Sequence, residues 1–353
     1  MPVWHWYLGA ANQTGEAKWI STVTPLDIEL PKVALIGLGV MGQRMLKNMP
    51  QHGYFWPSTA WDPSSDACES ARKLHPDLII TTNPAAAINN SDVDMVYIAT
   101  PPKSHGKYAL MAAKAGKAVY CEKPLGTDSV DSRILVEKMT LMGARAIVNF
   151  SLASAPAVNA LQSAINDGSA GTVNSVDILL HFGRWPRDWQ QSAKWLNKRA
   201  EGGFTRETFS HYAYLTQRLF GKIDLLRAST IYPTDDTCAE THAMALMDCT
   251  GIPIKFNGGT GGIANSGADR IEYIVWGSKK VYKLYNWNQL SSSDGRGWVR
   301  HLKNIADTRV AGYFSTLDNV REFFRGEHHS MPSLDDALKI QDLVESILVG
   351  GDK

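Results

Sequence analysis

Apolar positions along this chain follow two regimes that meet near residue 150. From Lys32 onward, short runs dominated by apolar residues recur at 33–36, 59–61, 78–81, 95–99, 118–121 and 146–150. Segments with helical spacing separate most of them, notably 41–52, 104–115 and 129–142. A strand without a polar face has to be covered on both sides. Such strands alternating with helices predict a parallel, doubly wound α/β sheet of the Rossmann type.

After residue 150 the pattern changes. A helix near 155–166 leads into a strand at 173–182, a loop rich in Trp and Arg, and a helix around 207–220. Stretches at 225–232, 239–248, 253–259, 269–277 and 280–285 read as successive strands of a large, mainly antiparallel, open-faced sheet. Leu334, Ala337, Leu338, Ile340, Leu343, Val344, Ile347 and Leu348 trace the apolar stripe of a closing amphipathic helix. The second half is therefore expected to be an α+β region. Before Lys32 there is no clear period, only Trp4, Trp6 and Trp19. Exposed tryptophan is a liability, which favours an ordered extension that packs them on the body or on a neighbouring subunit.

Composition narrows the classes. A chain of 353 residues suits two domains, and 44% hydrophobic with 20% charged residues suits a folded, soluble protein. A net charge of +1 gives no global field toward nucleic acid or an anionic membrane. The four cysteines, Cys68, Cys121, Cys238 and Cys249, form no CxxC pair, so neither a zinc site nor a disulfide framework is indicated. The first residues lack a signal-peptide pattern, and no run of about 18 apolar residues occurs. The expectation is a cytoplasmic protein without metal, membrane or nucleic-acid partner.

Gly37-Leu38-Gly39-Val40-Met41-Gly42 follows the first strand directly and opens a helix. In that context GxGxxG is a dinucleotide fingerprint: Gly37 for the tight turn, Gly39 for close approach to the pyrophosphate, Gly42 for helix–strand packing. The helix N-terminus then offers N–H groups to the phosphates. Asp62 ends the second strand, where a carboxylate accepts from ribose hydroxyls and repels a 2′-phosphate. It equally fits as a helix cap. NAD is expected and NADP remains open, since Ser64 or Ser65 could bond a phosphate although no arginine follows.

Thr100-Pro101-Pro102-Lys103-Ser104-His105 and, further on, Glu122-Lys123-Pro124-Leu125 complete a set that resembles the glucose–fructose oxidoreductase / inositol dehydrogenase (Gfo/Idh/MocA) family. The resemblance extends through Gly202-Gly203-Phe204 and the His211 region to the closing helix. It implies a Rossmann domain at 32–150, a substrate and oligomerisation domain at 151–333, and the closing helix at 334–353, after an extension at 1–31. It also implies that Thr100, Pro101, Pro102, His105, Glu122 and Lys123 lie along the cofactor, with a cis peptide before Pro124.

Lys123 sits at the carboxyl end of a parallel strand, where open α/β sheets place ligands, and could relay a substrate hydroxyl's proton. It could also simply pair with Glu122. The resemblance makes it catalytic and sets His211 beside it, facing the nicotinamide. Relatives usually carry aspartate four residues before that histidine; here it is Glu207, which shares a helix face with His211 but is one methylene longer. His105 reads equally well as a polar residue in a helix's first turn. Arg206 reads as an anion-binding group or a neighbour's ion-pair partner.

The loop around Arg184, Trp185, Arg187, Asp188 and Trp189 concentrates rings and cations suited to a substrate pocket or to packing, and Tyr285-Asn286-Trp287-Asn288, close after a predicted strand, is a second candidate. Arg184, Trp185, Arg206, Lys123 and His211 are the candidate substrate contacts. The expected function is an NAD(P)-dependent dehydrogenase or reductase of a sugar- or cyclitol-like small molecule, Lys123 and His211 handling the proton with Glu207. An imine or amine oxidoreductase of the same fold and a non-catalytic dinucleotide-binding sensor are the alternatives. Relatives cover the open sheet by association, which implies a homodimer or homotetramer.

Overall fold

The first sheet takes its order from strands that can be buried on both faces. In this computed structural model, which describes residues 30–262 and 269–350, they are β1 (Lys32–Ile36), β2 (Trp56–Trp61), β3 (Ile79–Ile80), β4 (Met95–Ile98), β5 (Ala118–Glu122) and β6 (Ala146–Asn149). Every pairing is parallel and the order is β3-β2-β1-β4-β5-β6. β4 and β5 are buried at every position. The order reverses between β1 and β4, and the crevice at the carboxyl ends there is where such sheets bind ligands. The helices between strands are α1 (Val40–His52), α2 (Ser65–Leu74), α3 (Pro84–Ile88), α4 (His105–Lys114) and α5 (Ser129–Leu141). The tryptophan-bearing stretch at 1–29 lies outside the described residues.

α6 (Pro156–Asn166) leads into a second sheet of β7 (Val173–Phe182), β8 (Ile223–Ile231), β9 (His242–Cys249), β10 (Ile252–Thr260), β11 (Arg270–Gly277), β12 (Val281–Tyr285), β13 (Gln289–Ser293) and β14 (Val299–Arg300). Its order is β14-β13-β12-β11-β7-β10-β9-β8, with β7–β10 parallel and the other pairs antiparallel. Burial alternates along β9, β10 and β11, as expected when one face packs and the other is open. The open face presents Leu226, Ile231, Met244, Leu246 and Trp276.

α7 (Ser210–Phe220) continues a π-helical turn at Thr205–Phe209, so the helix predicted from 207 starts with a wider coil. A buried carboxylate meets the chain where this turn begins. Gly203 has φ +98, and any Cβ there would strike the Glu240 carboxylate, which accepts the Thr205 N–H at 2.8 Å. The sequence pattern gave no element at α8 (Thr308–Arg325), β13 or β14. α8 returns to the first sheet, where Leu317, Val320 and Phe323 join Val33, Leu35, Met45 and Met49 in one buried cluster. α9 (Leu334–Val349) starts at the Ser333–Asp336 capping box and buries the stripe named above. Pro31–Lys353 form one compact unit. Among the described residues no helix is long and apolar enough to cross a membrane.

Candidate active site

The glycine turn is shaped by what surrounds each position. Gly37 has φ +99 and would place a Cβ 2.6 Å from the Ala99 carbonyl carbon, on the adjacent β4 end. A Cβ on Gly42 would lie 2.1 Å from Gly37 O, whereas one on Gly39 meets nothing within 4 Å. Two glycines are thus required by packing, and the third leaves an open cradle at the start of α1, which has no side-chain cap. That vacancy fits a pyrophosphate approaching free N–H groups. Leu38 is buried in the core cluster, and Val40 and Met41 open the helix.

Asp62 lies beside this turn. Its carboxylate accepts Leu38 N–H at 2.7 Å and Ser64 N–H at 2.8 Å. It does not cap the following helix; Ser64 does, accepting Ala67 N–H. Across the switch point, Thr100, Pro101 and Pro102 leave β4. His105 has both ring nitrogens on backbone carbonyls, 2.7 Å from Thr100 O and 2.8 Å from Pro124 O, and is 1% exposed. Its ring bridges the chain just past β4 and just past β5, as the reading of a polar residue at the helix start allows; the neutral imidazole donates to one of the two carbonyls. Burial holds its pKa below the usual histidine value. The Lys123–Pro124 peptide is cis, as the resemblance implied.

At the end of β5, Glu122 does not pair with Lys123. Its Oε1 accepts from Tyr97 Oη at 2.5 Å and Asn149 Nδ2 at 2.7 Å. Burial raises its pKa above the usual carboxylate range, and the hydrogen bonds from Tyr97 and Asn149 only partly offset this. A raised folded-state pKa stabilises the protein below the unfolded value and loses that stabilisation as pH rises through the folded one. Glu122→Gln keeps an acceptor for both donors without the buried charge. Its melting temperature should exceed wild type at pH 8, with the gap closing toward pH 4 in a thermal-denaturation series; a gap that widens on acidification would contradict this account.

Lys123 turns toward the π-helical turn instead. Its ammonium donates to the Glu207 carboxylate and, at 2.7 Å, to Glu207 O. The side chains are 7% and 18% exposed. Glu207 Oε1 accepts from Gln190 Nε2 at 3.1 Å, and Gln190 Oε1 accepts from Arg187 Nε at 2.9 Å. The extra methylene of Glu207 thus bridges Lys123 to the loop after β7. His211 is buried, 3.5 Å from Ser151 Oγ through Nδ1, its ring edge-on to Phe150 and Trp287. Burial, then the Lys123 and Arg187 charges, hold it well below the usual histidine pKa, so it is neutral at pH 7.

Two of the expected substrate contacts, Arg206 and Arg184, pair with carboxylates outside this set. Arg206 is 8% exposed and paired in a two-point contact with Glu345 of α9, Nε at 2.6 Å and Nη2 at 2.7 Å, with Nη1 on Arg199 O and Gly202 O. Its charge anchors the turn to the closing helix. Trp185, half-buried, donates its indole N–H to Leu196 O and packs on Phe182 and Phe204 against the core, with its ring also 5.8 Å from the Arg187 guanidinium. Arg184 is exposed and faces Asp188. Arg187, Gln190 and Trp287 stand in the site instead. Arg187 lay in a stretch rich in rings and charge and Trp287 in one of rings and amides; Gln190 carried no sequence signal. Among the described residues no cluster of His, Cys, Asp and Glu could hold a metal ion.

The first sheet thus carries a dinucleotide-type glycine turn and, just past β5, Lys123, which meets Glu207 from the π-helical turn before α7. The chain belongs to the Gfo/Idh/MocA oxidoreductase family: residues 31–150 match its NAD-binding Rossmann fold and residues 162–352 its C-terminal alpha/beta domain. It is 26% identical to a levoglucosan dehydrogenase of Pseudarthrobacter phenanthrenivorans over 210 residues, 56% of this chain and 53% of that protein. It is 33% identical to an inositol 2-dehydrogenase of Rhodococcus erythropolis over 117 residues, 33% and 34% of the two chains. The chain thus spans about half or less of these curated relatives' length. A 3-ketoreductase of Actinomadura kijaniata, solved with NADP and TDP-benzene, superposes with a TM-score of 0.76 at 18% identity, over 92% of this chain and 98% of that one.

Proposed function

We propose that this protein is an NAD(P)-dependent dehydrogenase or reductase acting on a hydroxyl/carbonyl carbon of a sugar- or cyclitol-like molecule. The observation that carries the reading is the pairing of Lys123, at the carboxyl end of β5, with Glu207 from the turn before α7, close enough to buried His211 for the Lys123 charge to act on its ring; the open cradle at Gly39 supports the dinucleotide part. Gly39, the α1 N-terminus and Asp62 would hold the dinucleotide, with Thr100, Pro101, Pro102 and Glu122 along its path. A bound nicotinamide supplies the hydride acceptor. The Lys123 ammonium, fixed on two sides by Glu207, presents its remaining N–H to the substrate hydroxyl and stabilises charge developing on that oxygen. Neutral His211 accepts the hydroxyl proton during oxidation and returns it during reduction.

The test is a fluorescence titration of cofactor-free protein with NADH and NADPH, followed by a polyol and sugar screen with the preferred cofactor. Tight NADH and weaker NADPH binding is expected, because Asp62 opposes a 2′-phosphate. A preference for NADPH would shift that role to Ser64 and Ser65, and binding of neither would remove the reading. The apolar face with Leu226, Ile231, Met244, Leu246 and Trp276 supports a further part of the proposal, a homodimer or homotetramer in which a second copy covers it. Solution scattering should give a mass of two or four chains; a monodisperse monomer is the opposing result.

A further inference from the structure

Arg187 is the charge that the proton-handling set leaves unused. The residue is 8% exposed, and its guanidinium carbon lies 5.3, 5.8, 4.8 and 5.6 Å from the ring centres of Phe182, Trp185, Trp189 and Trp287. Its Nε donates to Gln190 Oε1. Among the described residues, neither Nη atom has a hydrogen-bond acceptor and no carboxylate comes within ion-pair distance. Glu207 and Asp269 act on it only through space, and burial outweighs them, so that its pKa lies below the usual arginine value. Aromatic faces attract a guanidinium but accept none of its hydrogen bonds. A buried cation with its fork unfilled carries a desolvation cost that an incoming anion would relieve.

Arg187 borders the reacting region. Gln190 links Arg187 to Glu207, and Glu207 links to Lys123. His211 and Arg187 flank the same Trp287 indole, each 5.6 Å from its centre. We propose that Arg187 receives a carboxylate of the substrate, so that the substrate class is a sugar acid, an aldonate or uronate, and not a neutral sugar or cyclitol. This rests on the oxidoreductase reading of the same site. A planar carboxylate matches the two Nη donors in a two-point contact. A phosphate dianion would need further donors. Two of the three Lys123 N–H groups go to Glu207 and the third is assigned to the substrate hydroxyl, Arg44 donates to Tyr313 Oη, and the rings around Arg187 supply no donor to its ligand.

The experiment is calorimetry on the protein saturated with NADH, titrated with D-gluconate and D-glucuronate and, in parallel, with D-glucose, myo-inositol and D-glucose 6-phosphate. At least one of the acids should bind about tenfold or more tighter than the neutral compounds. Arg187→Met should remove that difference, Arg187→Lys should retain part of it, and both variants should bind NADH as wild type does, which shows that they are folded. Neutral compounds binding as tightly as both acids, the phosphate ester binding tightest, or acid binding that survives Arg187→Met would each overturn the assignment. Failure to bind NADH would instead overturn the oxidoreductase reading, and it registers before any sugar is added.

Discussion

Replacing Lys123 with methionine lowers kcat by about 10²–10⁴-fold, the range expected when a positioned proton-handling group is removed, while NADH affinity changes far less. The geometry dictates this split. The ammonium lies beyond the strand end, held by the Glu207 carboxylate and carbonyl, and not in the glycine turn that would bind phosphates. Methionine preserves most of the stem volume, so the loss reflects the charge and its N–H groups. The substitution leaves the largely buried Glu207 carboxylate without its cation, a destabilising change. A melting curve and an NADH titration on the same sample therefore accompany the kinetics. Turnover that stays within a few-fold of wild type would return Lys123 to a structural ion pair and leave His211 alone to move the proton. Loss of NADH binding in parallel with kcat would place its contribution in the cofactor site.

The parts of the fold that could be read from sequence are those whose burial is set locally. β4 and β5 are enclosed on both faces and accordingly spell apolar runs, while β9 and β10 alternate because one face is open. α9 shows its stripe because it packs along one side. α8 escaped because its sequence mixes aromatic and charged residues around the coil and its buried positions meet strands from the other end of the chain. The wide turn at Thr205–Phe209 could not be told from an ordinary helix start, and the Glu240 carboxylate that accepts its first N–H is 35 positions away.

The site divides in the same way. Lys123 and His211 stood out through motif position, and Glu207 through its departure from the family's usual residue. Which arginine faces the pocket was not legible. Arg206 and Arg187 have similar local surroundings in sequence, but Glu345, which takes up the charge of Arg206, is 139 positions away. Nothing comparable reaches Arg187 among the described residues. The choice is made by tertiary contacts, and so is the role of Gln190, an unremarkable amide until Glu207 and Arg187 are placed on either side of it.

Substituting Gly39 and Gly42 separates cofactor binding from folding, and the two changes should act in opposite ways. Gly39→Val should melt close to wild type, because a side chain there begins in open space. It should nonetheless weaken NADH on the order of 100-fold, since branched carbons would occupy the space needed by a pyrophosphate against the α1 N-terminus, at a cost of about 1–3 kcal/mol. Gly42→Ala places its Cβ 2.1 Å from Gly37 O, and backbone cannot move aside as a flexible side-chain tip can. It should lower stability by about 3 kcal/mol, at the upper end of overpacking costs, and any loss of NADH binding should track the loss of folded protein. Fluorescence titration and thermal melts of both variants decide the matter. If Gly39→Val binds NADH as wild type does, the vacancy at the start of α1 is not where the phosphates lie, and the three glycines serve only to pack β1, α1 and the end of β4.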